Sequence, residues 1–484
     1  MLGPIRKTSI KVKSYEVGTS TKGEIMKKRI IILTAFVLLV VAIFAGCKPA
    51  EEATPTQEAT KAPEATEKQE EEATEEPMDE MFQSRTIKFL SIWDHEDPNS
   101  NAWLLNELSK EYAETVEGFS LEVEYVDITS IDQKVTILLS SNDLPEIVTY
   151  ESGVRLKNVI DSGQIIDVDK TFTELGIRDC LDDGAVSLLT TLVDGKGLYD
   201  VPLGLNVEGF WYNKALFEQA GITEVPKTWD EFMAACDSLK AIDVIPIVQG
   251  GADKWPMTRV LNAYVVRSIG LDALSNAMSG EAHFTDPEYV AAAQMFADMA
   301  DNGYFAVGMN TIDYGTAASM LMNGQAAILY NGSWFTGNLN NTEDNAAGPE
   351  GIGFFNVPLV NDSSTLDDYS MNCGNILMFS SDKYDEAVGD WMKYVFPKLG
   401  DFAMQTQGSF KGFSISEMPS DTTYYTQLVA DALSSAKGSF LWFEAKMDSE
   451  TSTLAQDNIA SLYTGEMTPE EYMQQLEDSA TRNR

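Results

Sequence analysis

The chain has 484 residues, of which 44% are hydrophobic and 10% aromatic, and it carries a formal net charge of −41. A chain of this length is too long for one ordinary hydrophobic core, so we expect two globular domains. The acidic balance argues against nucleic acid or an anionic membrane surface as a partner.

Three segments precede the globular part, and the first two are an upstream extension and a candidate export signal. Residues 1–25 are polar and basic, and we interpret them as an upstream extension with Met26 as the true start. In residues 26–47 a basic MKKR, an apolar run and small residues before Cys47 form the pattern of a secretory signal. The segment resembles a lipoprotein signal with Cys47 as the lipidated residue, although Phe44 stands where Leu is usual. An uncleaved transmembrane anchor is the alternative, and both interpretations place the remaining chain outside the membrane.

Residues 48–84 form a linker composed mainly of Glu, Ala, Thr, Pro and Gln. Such a composition cannot bury enough apolar surface to offset the entropy of ordering, and its like charges repel one another. We therefore expect a disordered acidic tether.

The globular part starts with alternating strands and helices. A strand over 85–93 is followed by a helix from Asn101, a strand over 121–126, a helix containing VTILLSS and a strand over 147–150. This order predicts a doubly wound α/β lobe, in which ligands bind beyond the carboxyl ends of the strands. The residues at those ends are Trp93, Asp94, His95, Tyr150 and Glu151.

The segment from Asp194 to Leu239 contains two strands and two helices. Residues 199–203 and 207–213 are rich in residues that favour strands, and residues 214–220 have helical spacing that stops at Gly221. Thr228 followed by Trp229-Asp230-Glu231 predicts a capped helix start with acids in its first turn.

The rest of the chain continues the alternation. We predict strands over 244–248 and 353–360, helices over 257–270 and 286–303, and a helix from Asp385 to Phe396. Residues 317–334 combine a helix ending at Gly324, a strand, a turn at Gly332 and then Trp334. Residues 371–379 form a further apolar run, and the sequence GEMTPEEYMQQLEDSA predicts a final helix.

Several of these motifs, in this order, resemble family 1 extracellular solute-binding proteins, the maltose-binding-protein-like lipoproteins of ABC importers. They are the 194–239 segment, the Gly324-x-Ala-Ala strand ending in Gly332-x-Trp334, the 371–379 run and the closing Thr-Pro-Glu-Glu helix. The resemblance covers residues 85–484 and implies an α/β, two-lobed periplasmic-binding-protein-like fold (type II) with a hinge between the lobes. Lobe 1 would comprise 85–204 plus 375–418, and lobe 2 would comprise 205–374 plus 419–484.

The resemblance also implies a binding function, in which the protein catalyses no reaction on its ligand. The protein would be a monomer, tethered to the outer face of the cell membrane by lipidated Cys47, that captures a carbohydrate between its lobes and delivers it to ABC permease subunits. Several aromatic residues at the predicted cleft favour an oligosaccharide, because stacking area grows with the number of sugar rings.

A sugar site needs flat rings for stacking and fixed polar groups for the hydroxyls. The candidate rings are Trp93, Tyr150, Trp255, Trp334 and Trp442, and the candidate polar groups are Asp94, His95, Glu151, Asn206, Asn331, Asn372 and Asn375. By resemblance, Asn206 lies on the hinge strand, and Trp255 and Trp334 fall where family members stack aromatic rings on sugars. Trp93 and Trp211 could instead be core residues, and Glu151 a solvated loop end.

Other functions leave weaker signals. Two histidines make a His-based metal site or a catalytic triad hard to assemble, and Asp167-Val168-Asp169 lacks the Gly and Glu of a calcium loop. We expect no metal and no cofactor. An extracellular glycoside hydrolase, with carboxylates such as Asp94 and Glu151 about 5–10 Å apart, is an alternative. A sensor that presents its ligand state to a membrane kinase is another.

Overall fold

The computed structural model of the protein describes residues 85–484. The predicted upstream extension, the signal peptide with Cys47 and the acidic linker lie outside the described residues. Among the described residues, no helix has both the length and the apolar character that crossing a membrane would require.

The strands form two sheets. The first has the order β2-β1-β3-β9, and in the second the order is β10-β8-β4-β6-β5, with β7 also pairing with β4. The strands are β1 Thr86–Ser91, β2 Ser120–Tyr125, β3 Ile147–Tyr150, β4 Asn206–Asn213, β5 Ile245–Ile247, β6 Ala326–Gly332, β7 Ile352–Phe355, β8 Asp368–Asn372, β9 Ile376–Phe379 and β10 Gly438–Phe440.

Helices connect and cover these strands. They are α1 Asn101–Thr115, α2 Ile131–Ser141, α3 Val154–Ser162, α4 Val168–Leu175, α5 Asp183–Leu192, α6 Lys214–Gln219, α7 Trp229–Lys240, α8 Trp255–Ser268, α9 Ala273–Ser279, α10 Pro287–Asp301, α11 Tyr314–Met322, α12 Thr336–Asn340, α13 Glu386–Gln407, α14 Tyr424–Ser435, α15 Ser449–Thr464 and α16 Pro469–Asn483.

Helix starts follow the capping signals of the sequence. The Thr228 side chain accepts a hydrogen bond from the Glu231 backbone N–H, and the Glu231 carboxylate accepts one from the Thr228 backbone N–H. Thr468 and Glu471 form the same reciprocal cap at the start of α16. Each cap satisfies backbone N–H groups that have no partner inside the helix, which is why these positions fix where α7 and α16 begin.

Each sheet has its own hydrophobic core. The first sheet packs with α1 and α13, and its core includes Phe89, Ile147 and Trp391. In the second sheet β4 is central, and Phe210 and Trp211 on it are fully buried in clusters on opposite faces. The predicted parallel β-α-β-α-β lobe is confirmed, because β2 and β3 both pair parallel to β1.

The chain passes between the sheets beside β4 and β9. Val201 forms a bridge with Leu377 of the first sheet, and five residues later Asn206 begins β4 of the second. The chain returns between Asn372, the last residue of β8, and Ile376, the first residue of β9. The backbone N–H of Leu205 donates to Phe410 O, which places a third connection beside the first. The exact lobe boundaries remain a prediction.

Three predicted elements differ in extent. Residues 199–203 form no strand beyond the single Val201–Leu377 bridge, since Pro202 has no N–H to continue a ladder. The strand predicted over 353–360 ends at Phe355, before Pro358. The helix predicted to stop at Phe396 continues through Pro397 to Gln407, and its extension buries Leu399, Gly400, Ala403 and Met404. Burial of that face outweighs the hydrogen bond lost at proline.

Candidate functional site

Three aromatic side chains meet on the second lobe. Trp255 begins α8, Tyr314 begins α11 and Trp334 follows β6. The Trp255 ring centroid lies 5.8 Å from that of Tyr314 and 6.1 Å from that of Trp334. All three side chains remain partly exposed, so they present ring surface that the core does not cover. We call them the aromatic trio.

Hydrogen bonds fix the orientation of Tyr314 and Trp334 within the aromatic trio. The Tyr314 hydroxyl accepts from Trp334 Nε1 at 3.0 Å and from Asn331 Nδ2 at 3.0 Å. Asn331 is 1% exposed, and its side-chain oxygen accepts from the Gly332 backbone N–H at 2.9 Å. The Trp334 ring lies directly over Gly332, where a β-carbon would overlap it. The glycine of the Gly-x-Trp motif is therefore required by a close approach.

Buried amides join the two neighbouring chain crossings. Asn206 Nδ2 donates to Asn372 Oδ1 at 3.2 Å, and the Ser333 hydroxyl donates to Asn206 Oδ1 at 3.1 Å. Asn372 Nδ2 donates in turn to Glu208 Oε1 at 2.6 Å. The network links the residue before Trp334 to the first residue of β4 and the last residue of β8.

A buried arginine continues this network. Arg259 Nε lies 3.2 Å from Glu208 Oε2, and Arg259 Nη1 lies 2.6 Å from Glu444 Oε2. Its guanidinium also lies 5.3 Å from the Trp255 ring and 5.9 Å from the Trp442 ring. The guanidinium charge of Arg259 can be buried with two carboxylates because both carboxylates lie near this one cation. The Arg259 guanidinium thus lies near the ring of Trp255, one member of the aromatic trio.

The first lobe contributes a second charged cluster. Arg155 Nη1 lies 2.9 Å from Glu151 Oε2 and 2.6 Å from Asp132 Oδ2. Burial raises the pKa of the Glu151 carboxyl, and the Arg155 charge opposes that shift. The charge of Glu444 raises the same pKa and that of Arg259 lowers it. Arg155 Nη2 also donates to Ser452 Oγ of α15 at 3.2 Å, so the Arg155 cluster contacts the predicted second lobe.

The predicted site residues divide into two groups. Trp255, Asn331 and Trp334 come together on the second lobe, and Asn206 and Asn372 lie in the adjoining amide network. Tyr150, 7% exposed, and Glu151 border the Arg155 cluster. Trp442 packs in the core of the first lobe at 5% exposure, close to Arg259.

The remaining candidates stay apart from these clusters. Trp93 is partly buried and packs against the core of the first lobe. Asp94 is largely exposed, and its Oδ1 lies 3.9 Å from His95 Nδ1. Within residues 85–484, neither Asn375 nor any of these three residues hydrogen-bonds to the aromatic trio or to either arginine cluster. Trp211 is fully buried, as the core interpretation predicted.

Several contributors were not predicted. They are Tyr314, Arg259, Glu444, Arg155 and Asp132. Arg259 lies one helical turn after Trp255, so helical spacing from a predicted site residue could have indicated it, whereas Glu151 precedes the helix that carries Arg155. Tyr314 and Glu444 are distant in sequence from their partners, and only the tertiary structure brings them together.

The chemistry of the arrangement suits binding. Partly exposed rings stand beside fixed amides and carboxylates, which is what stacking on a sugar and bonding its hydroxyls require. Among residues 85–484, no group of three or more His, Cys, Asp or Glu side chains is placed to hold a metal ion.

The chain is similar to known extracellular binding proteins. The family described as bacterial extracellular solute-binding protein matches residues 97–396. An uncharacterized ABC transporter extracellular-binding protein of Pyrococcus horikoshii is 25% identical over 59% of this chain and 64% of its own length. The multiple sugar-binding protein of Streptococcus mutans is 30% identical over 28% of this chain and 34% of its own length. The chain thus spans less than two thirds of the length of these relatives.

A solved structure matches more of the chain. A chitin oligosaccharide binding protein superposes with a TM-score of 0.76 at 26% identity, covering 82% of this chain and 98% of its own. The likeness extends over both sheets and confirms the predicted two-lobed periplasmic-binding-protein-like fold.

Proposed function

The chain belongs to the family of bacterial extracellular solute-binding proteins, and we propose that it captures an oligosaccharide between its lobes and delivers it to the permease of an ABC importer. The observation that carries this proposal is the aromatic trio, which offers ring surface beside the amide network. Sugar C–H faces stack on such rings, and buried amides discriminate among hydroxyl arrangements. The names of the similar proteins from Streptococcus mutans and of the chitin oligosaccharide binding protein support the ligand class.

We place the site residues on both lobes. Trp255, Tyr314 and Trp334 stack on the sugar from the second lobe, and Glu151 accepts hydroxyl hydrogen bonds from the first. Asn206 and Asn372 lie where the lobes hinge, so ligand held on both sides favours the closed arrangement. Lipidation of Cys47 retains the protein at the outer face of the membrane.

A thermal-shift screen tests the proposal. The full-length protein, in a detergent without a sugar headgroup, is heated with each member of a panel of mono- and oligosaccharides. A ligand that binds only the native state raises the melting temperature in a concentration-dependent manner. We expect such a rise with at least one oligosaccharide. No rise with any saccharide would contradict the carbohydrate assignment.

A further inference from the structure

The loop between β2 and α2, taken with its flanking residues as 125–132, begins beside Trp93. Tyr125 is the last residue of β2 and pairs in parallel register with Ser91, the last residue of β1. The Ser91 hydroxyl donates to Trp93 O and accepts from Trp93 N, both at 2.9 Å. Since paired residues of a parallel ladder point to the same face, Tyr125 lies beside the turn that carries Trp93.

The same loop ends at the charged cluster of the first lobe. Asp132, in the first turn of α2, binds the Arg155 guanidinium that also holds Glu151. The loop therefore runs from the carboxyl end of β1 to the cluster that faces the second lobe. Its end thus lies at the Arg155 cluster of the candidate site.

The loop holds apolar side chains out in solvent. Tyr125 is 57% exposed and Ile128 is 42% exposed, which is unusual for such large apolar groups. The loop is nevertheless well bonded: Asp127 Oδ1 accepts from the Thr129 backbone at 2.9 Å, and Asp127 O accepts from Ser130 N at 2.9 Å. Because the loop is already ordered, an exposed ring on it can contact a ligand with little further loss of conformational entropy.

We propose that Tyr125 and Ile128 form an outer subsite that receives the distal units of a long, neutral oligosaccharide. This inference rests on the proposed function, because it extends the same site. The tyrosine ring stacks on a sugar face, as the aromatic trio does for the inner units. The carboxylate of Asp127 disfavours anionic sugars there, whereas that of Glu124 is paired with Lys134.

Chain-length dependence tests this subsite. Calorimetry with the full-length protein compares di- and hexasaccharides of the chito-, xylo- and malto-oligosaccharide series. Tyr125→Ala weakens binding of the hexasaccharide about fivefold to tenfold, the value of one stacked ring, and leaves the disaccharide unchanged. Tyr125→Phe keeps the ring and retains the affinity. Ile137→Ala, at a residue 60% exposed on α2 beyond the loop, changes neither ligand.

The outcomes separate the inference from the proposed function. If the unchanged protein binds saccharides but Tyr125→Ala affects both lengths equally, or neither, the outer subsite is wrong and the proposed function stands. If the unchanged protein binds no saccharide of either length, both are overturned. Melting curves of each variant exclude loss of folding as the cause of weaker binding.

Discussion

Asn206 and Asn372 are hydrogen-bonded to each other at 3.2 Å, and they are the first residue of the strand that enters the second lobe and the last of the strand that leaves it. Both side chains are 5% exposed. The two crossings are thus joined by side chains as well as by backbone pairing, which restricts the hinge to motions that keep them together.

A double-mutant cycle measures this link. Asn206→Ala and Asn372→Ala should each destabilise the protein, and the pair should show a coupling energy of about 1 kcal/mol, because each variant removes the hydrogen bond between the two amides. Denaturant unfolding of the four proteins gives the value. Strictly additive effects would mean that the two amides do not depend on each other.

Arg259 is the residue on which the buried charges depend. Arg259→Met leaves Glu208 and Glu444 without their cation and should cost about 3–5 kcal/mol of unfolding free energy. Arg482→Met is the matched control, since its pair with Glu450 is exposed and screened by solvent, so its loss should be much smaller. Equal losses in the two variants, by denaturant unfolding, would contradict the role given to the buried cluster.

Gly332 keeps the space that Trp334 occupies. Gly332→Ala should displace the ring and weaken oligosaccharide binding about tenfold or more, since a stacking surface moves away. Gly315→Ala, next to Tyr314 on α11, adds a β-carbon only in ordinary contact with Asp313 and serves as control. Titration calorimetry compares the variants. Unchanged affinity in Gly332→Ala would show that Trp334 does not contact the ligand.

Asp200 gives a pH-dependent contribution to stability. It is fully buried, and burial raises the pKa of its carboxyl to about 7. Because the folded pKa exceeds the unfolded value of about 3.9, this contribution favours the folded state at low pH and declines as pH rises towards 7. Asp200→Asn should therefore gain up to about 4 kcal/mol of unfolding free energy at pH 8 and progressively less towards pH 4.

The contribution of Asp194 to stability should show the opposite pH dependence. Burial works to raise the pKa of its carboxyl, but hydrogen bonds from Lys157 and Lys446 lower it overall. Its contribution is present at neutral pH and lost in acid, so Asp194→Asn should destabilise at pH 7 and not below the folded pKa. Unfolding curves from about pH 2 to about pH 8 test both, since the Asp194 contribution is lost only below the ordinary carboxyl pKa of about 3.9. Parallel pH profiles for the two variants would contradict this account.

The sequence predicts local features well because they depend on neighbours a few residues apart. Thr228 caps a helix as expected, and the chain turns after Gly332 as the motif predicts. α13 was predicted too short, because the packing that carries it past Pro397 is tertiary.

The candidate site shows the same limit. Trp255 and Trp334 were predicted from motifs, whereas the Tyr314 hydroxyl that orients Trp334 comes from another helix. Glu444 meets Arg259 only through the fold, since the two are far apart in sequence. Aromatic residues on loops can be recognised from sequence, but the buried charges that support them cannot.

The proposed function requires that an oligosaccharide binds against the aromatic trio. Isothermal titration calorimetry of the full-length protein with the saccharide that raises its melting temperature most, compared with the Trp255→Ala/Trp334→Ala double variant, tests it most directly. We predict one saturable site in the unchanged protein and a loss of affinity of about 100-fold in the folded double variant, because two stacked rings are removed. Equal affinity in both proteins would contradict the claim.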